Sequence, residues 1–171
     1  MVEVRVLGVA IDSEIHHIIL LKPIGEPQAV GTVLAIVVGE QEATSTLIAL
    51  SGEAPPRPLS HDLMKTLIDT VDAHLERVDV TRIDEGIFYA EITLGTAAGP
   101  FVLDARPSDS VALALRAGAP IFVADDVLQA EGIPAALVES GGNVEETPDR
   151  EQSLDEFKDF LEHVDPEDFQ S

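Results

Sequence analysis

The stretch DARPSDSVALALRAGAPIFV, residues 104–123, runs in quick succession through the end of a strand, a helix and a second strand. The run from Ser108 to Gly118 is apolar on nearly every side, which predicts a short helix that is buried all round. The apolar residues 120–125 behind it predict a strand. A helix of this kind needs other elements around it, so the chain is expected to fold as a layered domain.

On both sides of this stretch, strand patterns alternate with helix patterns. Apolar, β-branched segments predict strands, and Asp84-Glu85-Gly86 is a hairpin signal that indicates antiparallel pairing. The predicted strands are 2–11, 16–24, 32–38, 77–83, 87–94, 100–105 and 120–125, and the predicted helices are 40–52, 60–75, 108–118 and 125–132. The fold class is therefore α+β, with a mixed or antiparallel sheet packed against short helices.

Two of these helices carry further patterns. The helix 60–75 is amphipathic, with Leu63, Leu67 and Val71 on one stripe and Ser60 as its expected N-cap.

The segment TLIALSGEAP, residues 46–55, resembles VALALRAGAP, residues 111–120, and both follow an apolar strand. This echo suggests an internal duplication of a strand–helix unit.

Composition divides the chain into a domain and a tail. Residues 1–138 are the expected domain, 139–152 read as a polar linker, and 153–171 form an acidic tail with its own helix pattern. In that tail Ser153 and Glu156 make a capping box. The apolar stripe of the tail helix is Leu154, Phe157, Phe160, Leu161 and Val164. A short isolated helix is marginal in water, so we expect it to dock on the domain or on another subunit of a homo-oligomer.

The charge and the residue types limit the function. The chain of 171 residues has a formal net charge of −22 and no cysteine, which excludes disulfides and thiolate metal sites. No apolar run approaches the ~20 residues of a membrane span, so we expect a cytoplasmic protein. A chain this acidic repels phosphate backbones, so it can bind nucleic acid only through a local basic pocket, metal ions or high salt.

Two helix starts share the order arginine, proline, serine, aspartate. They are PPRPLSHDL, residues 55–63, and DARPSDS, residues 104–110. The first turn of a helix attracts anions, and arginine grips a phosphate with two parallel hydrogen bonds, so Arg57 and Arg106 are candidate phosphate ligands together with Ser60 and Ser108. The same residues also suit a purely structural role, in which the serines cap the helices and the arginines pair with Asp62 and Asp109.

Three further features favour a working site. The positive end of the helix favours a neutral imidazole at His61, able to accept a proton near pH 7. Arg106 and Asp109 begin a helix expected to be buried, where charges need partners. Glu42 adds a carboxylate at the start of the other half of the suggested duplication. Carboxylates with an arginine and a histidine suit phosphodiester cleavage assisted by Mg²⁺ or Mn²⁺, without an organic cofactor.

At these residues the chain resembles the bifunctional nuclease family, a bacterial and plant group named for action on DNA and RNA. The resemblance spans most of residues 2–138. Its motifs are GEQEA at 39–43, PRPLSHDL at 56–63, IFYAEI at 87–92, the long segment at 104–123 and PEDF at 166–169. It departs from the family at Ser60, where threonine is usual, and in the strand before Gly39, which lacks the usual proline and tryptophan. The resemblance implies nuclease activity, with Glu42, Arg57, His61, Asp62, Arg106 and Asp109 as site candidates.

Two functions therefore stay open on the sequence. In the first, the chain is a nuclease that binds DNA or RNA weakly, with cations assisting, and its candidate residues converge around one phosphate. In the second, it is a non-catalytic oligomeric scaffold or a regulatory module that binds small anions.

Overall fold

The computed structural model describes residues 1–12, 14–26 and 31–141. The predicted acidic tail, the PEDF motif and most of the predicted linker lie outside these described residues. Within them, no helix is long and apolar enough to cross a membrane.

The described residues form eight strands and five helices. The strands are β1 (Val2–Ile11), β2 (His17–Pro23), β3 (Thr32–Val38), β4 (His74–Asp84), β5 (Ile87–Gly95), β6 (Phe101–Ala105), β7 (Ile121–Val123) and β8 (Gly132–Pro134). The helices are α1 (Glu40–Ser51), α2 (Ser60–Thr70), α3 (Pro107–Ala117), α4 (Asp125–Glu131) and α5 (Ala135–Gly141). The predicted order of elements is confirmed, with two short elements, β8 and α5, added at the end.

All eight strands belong to one sheet in the order β6-β5-β4-β7-β1-β2-β3-β8. Strands β1–β3 form one antiparallel meander and β4–β6 another. Strand β7 joins the two, because it pairs antiparallel with β1 and parallel with β4. The sheet is therefore mixed, and the α+β class is confirmed.

Helix α3 lies in the middle of the domain. It contacts α1 and α2 as well as β3, β4 and β5, so the sheet curls around it. Residues Val111 to Ala114 of α3 are all buried, and Val111, Leu113 and Ala114 belong to the main apolar core. This burial confirms the prediction made from the apolar run, and it places the start of α3 where α1 and α2 meet.

Helix α2 differs from its sequence pattern in orientation. An amphipathic helix normally turns its apolar stripe toward the core, yet Leu63, Leu67 and Val71 are all exposed. The residues that face inward include His61, which is buried, and Ile68, which packs against the core. The helix also ends at Thr70, five residues earlier than predicted, because the chain turns there and enters β4.

The predicted serine caps are wrong at both Arg-Pro-Ser starts. Leu59 is the N-cap of α2 and Arg106 is the N-cap of α3, and neither residue's side chain makes a capping hydrogen bond. Ser60 and Ser108 therefore lie inside the first turns. The carboxylate of Asp62 instead accepts a hydrogen bond from the Leu59 backbone N–H at 2.8 Å.

The topology agrees with the suggested duplication in part. Each meander is followed by a helix, α1 after β3 and α3 after β6. Both helices end at a glycine in the left-handed conformation, Gly52 with φ 70° and Gly118 with φ 67°. The elements after these glycines differ, since α1 leads to α2 whereas α3 leads to β7. The duplication stays a prediction.

The left-handed end of α3 gives a stability prediction. Ala at position 118 must adopt a positive φ, which costs about 1–2 kcal/mol for a residue with a Cβ, so Gly118→Ala should lower the free energy of unfolding by about that amount. The control is Gly8→Ala in β1, because an added Cβ meets no atom within 4 Å at either glycine and only Gly118 has a positive φ. Urea unfolding of both variants measures the difference. Equal stabilities would contradict the prediction.

Candidate functional site

A chain of polar side chains crosses the junction of α1, α2 and α3. Arg106 donates to Glu42 Oε1 from Nη2 at 2.7 Å, and to the two oxygens of Asp109 from Nε and Nη2 at 2.7 and 3.1 Å. The other face of Asp109 meets His61, with 3.1 Å between Nε2 and Oδ1. Ser45 Oγ lies 2.8 Å from His61 Nδ1. We call Glu42, Arg106, Asp109, His61 and Ser45 the relay cluster.

His61 is enclosed by this cluster. Its side chain is 8% exposed, and both ring nitrogens have a partner. Because a carboxylate can only accept, Nε2 must carry the hydrogen facing Asp109, and in the neutral ring Nδ1 accepts from the Ser45 hydroxyl. His61 therefore cannot take a proton directly from a solvent water. Any influence on a substrate must pass through Asp109 or Ser45.

Arg106 is the part of the cluster that faces solvent. Its side chain is 67% exposed, whereas Glu42 and Asp109 are both more buried than exposed. Hydrogen bonds to Asp109, and then to Glu42, raise the pKa of the Arg106 guanidinium, so it stays charged. The sequence-based expectation of a buried Arg106 is wrong, because the helix start opens onto the surface. A charged guanidinium thus lies at the surface between two carboxylates.

A second group of contacts lies deeper and centres on Arg116 of α3. Arg116 donates from Nε to Asp62 Oδ1 at 2.6 Å and from Nη1 to the backbone carbonyls of Ser45 and Ala112 at 3.1 and 2.9 Å. The side chain is buried, and its Nη2 has no hydrogen-bond partner among the described residues. These bonds tie all three helices together directly behind the relay cluster.

The pKa of Asp62 reflects this surrounding. Burial acts to raise the pKa of the carboxyl, but hydrogen bonds from Arg116 and from the Leu59 N–H outweigh it, so the pKa lies below its ordinary value. Asp62 is therefore ionised at neutral pH and paired with Arg116. This contact braces the helices as the structural interpretation of the sequence expected, although the partner is Arg116 and not Arg57; a catalytic role of Asp62 stays a prediction.

The structure thus brings some of the predicted site residues together and separates others. Glu42, His61, Arg106 and Asp109 form one hydrogen-bonded chain. Arg57 is exposed in the loop before α2 and makes no ion pair within the described part of the chain. Ser60 is exposed and Ser108 is buried, so only Ser60 is accessible to solvent. Asp62 lies behind the cluster with Arg116.

Sequence reasoning missed Ser45 and Arg116. Arg116 had a usable signal, because a single arginine within a helix that is otherwise apolar and buried must have a partner of opposite charge. Ser45 had none, since a serine within a helix is ordinary and only the packing of α1 against α2 brings it to His61.

The described residues do not form a ready metal site. Among them there is no group of three or more His, Cys, Asp or Glu side chains placed to hold an ion. Glu42 and Asp109, the two carboxylates of the relay cluster, already accept hydrogen bonds from Arg106. A cation that approached these carboxylates would have to compete with the guanidinium for their oxygens.

The fold and the site together define a small α+β domain in which helix starts hold an arginine, two carboxylates and a histidine, a set suited to phosphate chemistry. The model of the bifunctional nuclease domain matches residues 20–136. The chain belongs to the bifunctional nuclease domain family, as its motifs indicated.

Individual relatives agree with this assignment. An uncharacterized protein of Mycobacterium tuberculosis is 36% identical over 172 residues, covering 100% of this chain and 99% of the relative. Bifunctional nuclease 1 of Arabidopsis thaliana is 27% identical over 129 residues, which are 74% of this chain and 38% of the plant protein. Bifunctional nuclease 1 of japonica rice is 29% identical over 115 residues, or 66% of this chain and 34% of the relative. The chain thus matches only about a third of each plant nuclease.

The deeper contacts give a stability prediction. Arg116→Leu should lower the free energy of unfolding by about 3 kcal/mol, because it leaves the Asp62 carboxylate without its buried partner and removes a side-chain donor from two helix carbonyls. Asp62 is partly exposed, which favours the low end of the usual range for such losses. Arg5→Leu, at an exposed arginine of β1, is the matched control and should change the value by at most about 0.5 kcal/mol. Chemical denaturation distinguishes the two, and similar small losses would contradict the bracing role.

A pH prediction follows from Asp62. Its pKa is lowered in the folded state, so the carboxylate contributes stability that is complete above the unfolded value of about 3.9 and is lost as pH falls through the folded pKa. The stability difference between wild type and Asp62→Asn should therefore be largest near pH 7 and shrink below pH ~4. Unfolding curves at pH 7 and pH 3 measure it, with Asp104→Asn on the exposed edge strand β6 as a control for removing a negative charge. A stability difference between wild type and Asp62→Asn that grows in acid would contradict the lowered pKa of Asp62.

Proposed function

We propose that this protein hydrolyses phosphodiester bonds in DNA, RNA or both. The observation that carries the proposal is the Arg106 guanidinium, exposed at the junction of three helices and held between Glu42 and Asp109, with His61 behind Asp109. Family membership supports it, because the plant relatives that match this domain are named nucleases. A chain without cysteine suits a reducing compartment, so we propose nucleic acid in the cytoplasm as the substrate.

Arg106 is the proposed phosphate ligand. Its Nη1 makes no hydrogen bond within the described part of the chain, and it lies on a largely exposed side chain, so a phosphate oxygen can approach it. An arginine binds a phosphate best with two parallel bonds, and a second bond requires Arg106 to release one carboxylate contact. Binding of the anion would thus exchange one negative partner for another. Arg57, exposed and without an ion pair among the described residues, is available for a neighbouring phosphate.

Asp109 is the proposed general base. Once Arg106 turns toward the phosphate, one oxygen of Asp109 becomes free to accept a proton from an attacking water. The other oxygen stays fixed by the His61 Nε2–H, and His61 is in turn fixed by Ser45. His61 and Ser45 are therefore positioning residues in this scheme, and the proton stays on Asp109, because Nε2 of His61 already carries a hydrogen. Glu42 would then balance part of the positive charge of the Arg106 guanidinium at the surface.

Cations are expected to matter because of the net charge. A surface with a formal charge of −22 repels a polyanion, and Mg²⁺ or Mn²⁺ brought in with the nucleic acid reduces this repulsion. We therefore propose weak, cation-assisted substrate binding and activity that depends on divalent ions. Since the described residues do not form a ready site for such an ion, the proposed role is electrostatic.

The activity assay separates these roles. Purified protein should degrade single-stranded DNA or RNA with Mg²⁺ or Mn²⁺ and lose the activity in EDTA. Asp109→Asn should lower kcat by about 10²–10⁴-fold, as loss of a general base does, whereas Arg106→Lys should mainly raise KM because lysine lacks the bidentate grip. His61→Ala should lower kcat, and His61→Gln, which keeps an N–H donor near Asp109, should restore part of it.

Controls keep a contaminating nuclease apart from this site. Arg5→Lys changes an exposed arginine outside the site and should leave kcat and KM unchanged, and a contaminant would be equally active in every preparation. Circular dichroism of each variant confirms that the fold is intact. Equal cleavage by wild type and all variants, or no cleavage across a range of metals and salt concentrations, would overturn the nuclease proposal.

The second candidate function is a non-catalytic module that binds small anions. The observations that favour it are the carboxylates already paired with Arg106 and the lack of a ready metal site among the described residues. In that case inorganic phosphate or a nucleoside phosphate should bind, Arg106→Lys should weaken the binding, and no turnover should follow.

A further inference from the structure

Helix α2 presents a solvent-facing side that carries no charge. The residues on this side are Ser60, Leu63, Met64, Thr66, Leu67, Thr70 and the C-cap residue Val71, and all of them are exposed. We call this set the outer α2 face. Leu67 is 57% exposed and Val71 71%, which is high for large apolar side chains that lie next to one another. A contiguous apolar surface of this kind marks an interaction site.

The two threonine hydroxyls on the outer α2 face are already satisfied by the helix itself. Thr66 Oγ1 donates to the Asp62 carbonyl at 2.9 Å, and Thr70 Oγ1 donates to the Thr66 carbonyl at 2.6 Å. Their methyl groups are left to complete the apolar surface, so removing water from the face leaves neither threonine hydroxyl without a partner. The charged residues of α2 lie elsewhere: Asp69, two positions after Leu67, is about 200° around the helix from it.

The charge of the chain limits what can cover this face. Two copies that each carry a formal charge of −22 repel one another, so a surface that brings no carboxylates together favours their association. The outer α2 face meets that condition. Nucleic acid does not suit it, because the face offers no cation to a phosphate.

The spacing of the face also fits a second copy. Leu63 and Val71 each lie four residues from Leu67, so the stripe has the same apolar character in both directions along the helix. A two-fold axis at Leu67 would set two α2 helices antiparallel, with Leu67 against its own copy and Leu63 against Val71 of the partner subunit. Such a self-complementary contact is what closes a symmetric dimer, and rows spaced by four residues are the ones that interdigitate in the commonest helix packing.

We infer that the outer α2 face is the surface through which two copies of this chain pair about a two-fold axis. The inference does not depend on the proposed nuclease activity, because it uses none of the residues of the relay cluster as contacts. It also accounts for the orientation of α2, whose inward side carries His61 and Asp62 and whose apolar side is left for a partner.

Because the chain has no cysteine, a single engineered one tests the pairing directly. Leu67→Cys should form a disulfide-linked dimer on mild oxidation, since a residue on a two-fold axis lies close to its own copy. Asp69→Cys is the matched control, on the same helix and exposed but on the other side, and it should stay unlinked. Sedimentation of the wild type should give twice the 18.3 kDa of one chain.

Leu67→Glu and Leu67→Lys should both shift the mass to a single chain, and Val37→Glu, the same kind of change at an exposed residue of β3, should not. Leu67 is largely exposed, so these variants should keep their circular dichroism spectrum. A wild type that stays monomeric at high concentration, or Leu67→Cys that links no faster than Asp69→Cys, overturns the inference. The inference would also be overturned if Leu67→Cys cross-links only in a chain that lacks residues 142–171. In that case the tail, and not a second copy, would cover the outer α2 face.

Discussion

The burial of Arg116 is the constraint on which the arrangement of the helices depends. A guanidinium inside a helix core must find an opposite charge, and Asp62 of α2 supplies it. Once Asp62 faces inward, the helical repeat brings His61 in beside it and turns Leu63, Leu67 and Val71 outward. The relay cluster and the outer α2 face are therefore two results of one ion pair, which sets the rotation of α2 about its own axis.

The site also depends on the two halves of the sheet coming together. Glu42 and Ser45 are on the helix that follows the first meander, whereas Arg106 and Asp109 begin the helix that follows the second. Strand β7 joins the meanders in one sheet, and α3 fills the space inside its curl. Neither half holds the whole cluster, so Glu42 meets Arg106 only when both halves have folded.

The sequence predicted the parts of this structure that depend on local pattern. The strands follow from their apolar, β-branched composition, and the buried α3 follows from a run that is apolar on every side. Arg106 and Asp109 could be singled out because they sit together at one helix start. Contacts between elements could not be predicted in this way. How three helices pack decides the rotation of α2, the partner of Asp62 and the position of Ser45. An apolar periodicity within one helix does not show which side of that helix meets the core. In α2 the buried charge of Arg116 on α3 outweighs the apolar stripe.

Helix α2 carries His61 and Asp62 on one side and the outer α2 face on the other, and this limits how the helix can change during evolution. Substitutions can be accepted one at a time on either side, but each additional residue inserted into a helix rotates everything beyond it by about 100°. An insertion early in α2 would carry Leu67 out of its row and draw Ile68 away from the core in the same event. Length variation should therefore collect in residues 52–55, which are mostly exposed and precede the PRPLSHDL motif, while the helix keeps a constant number of residues.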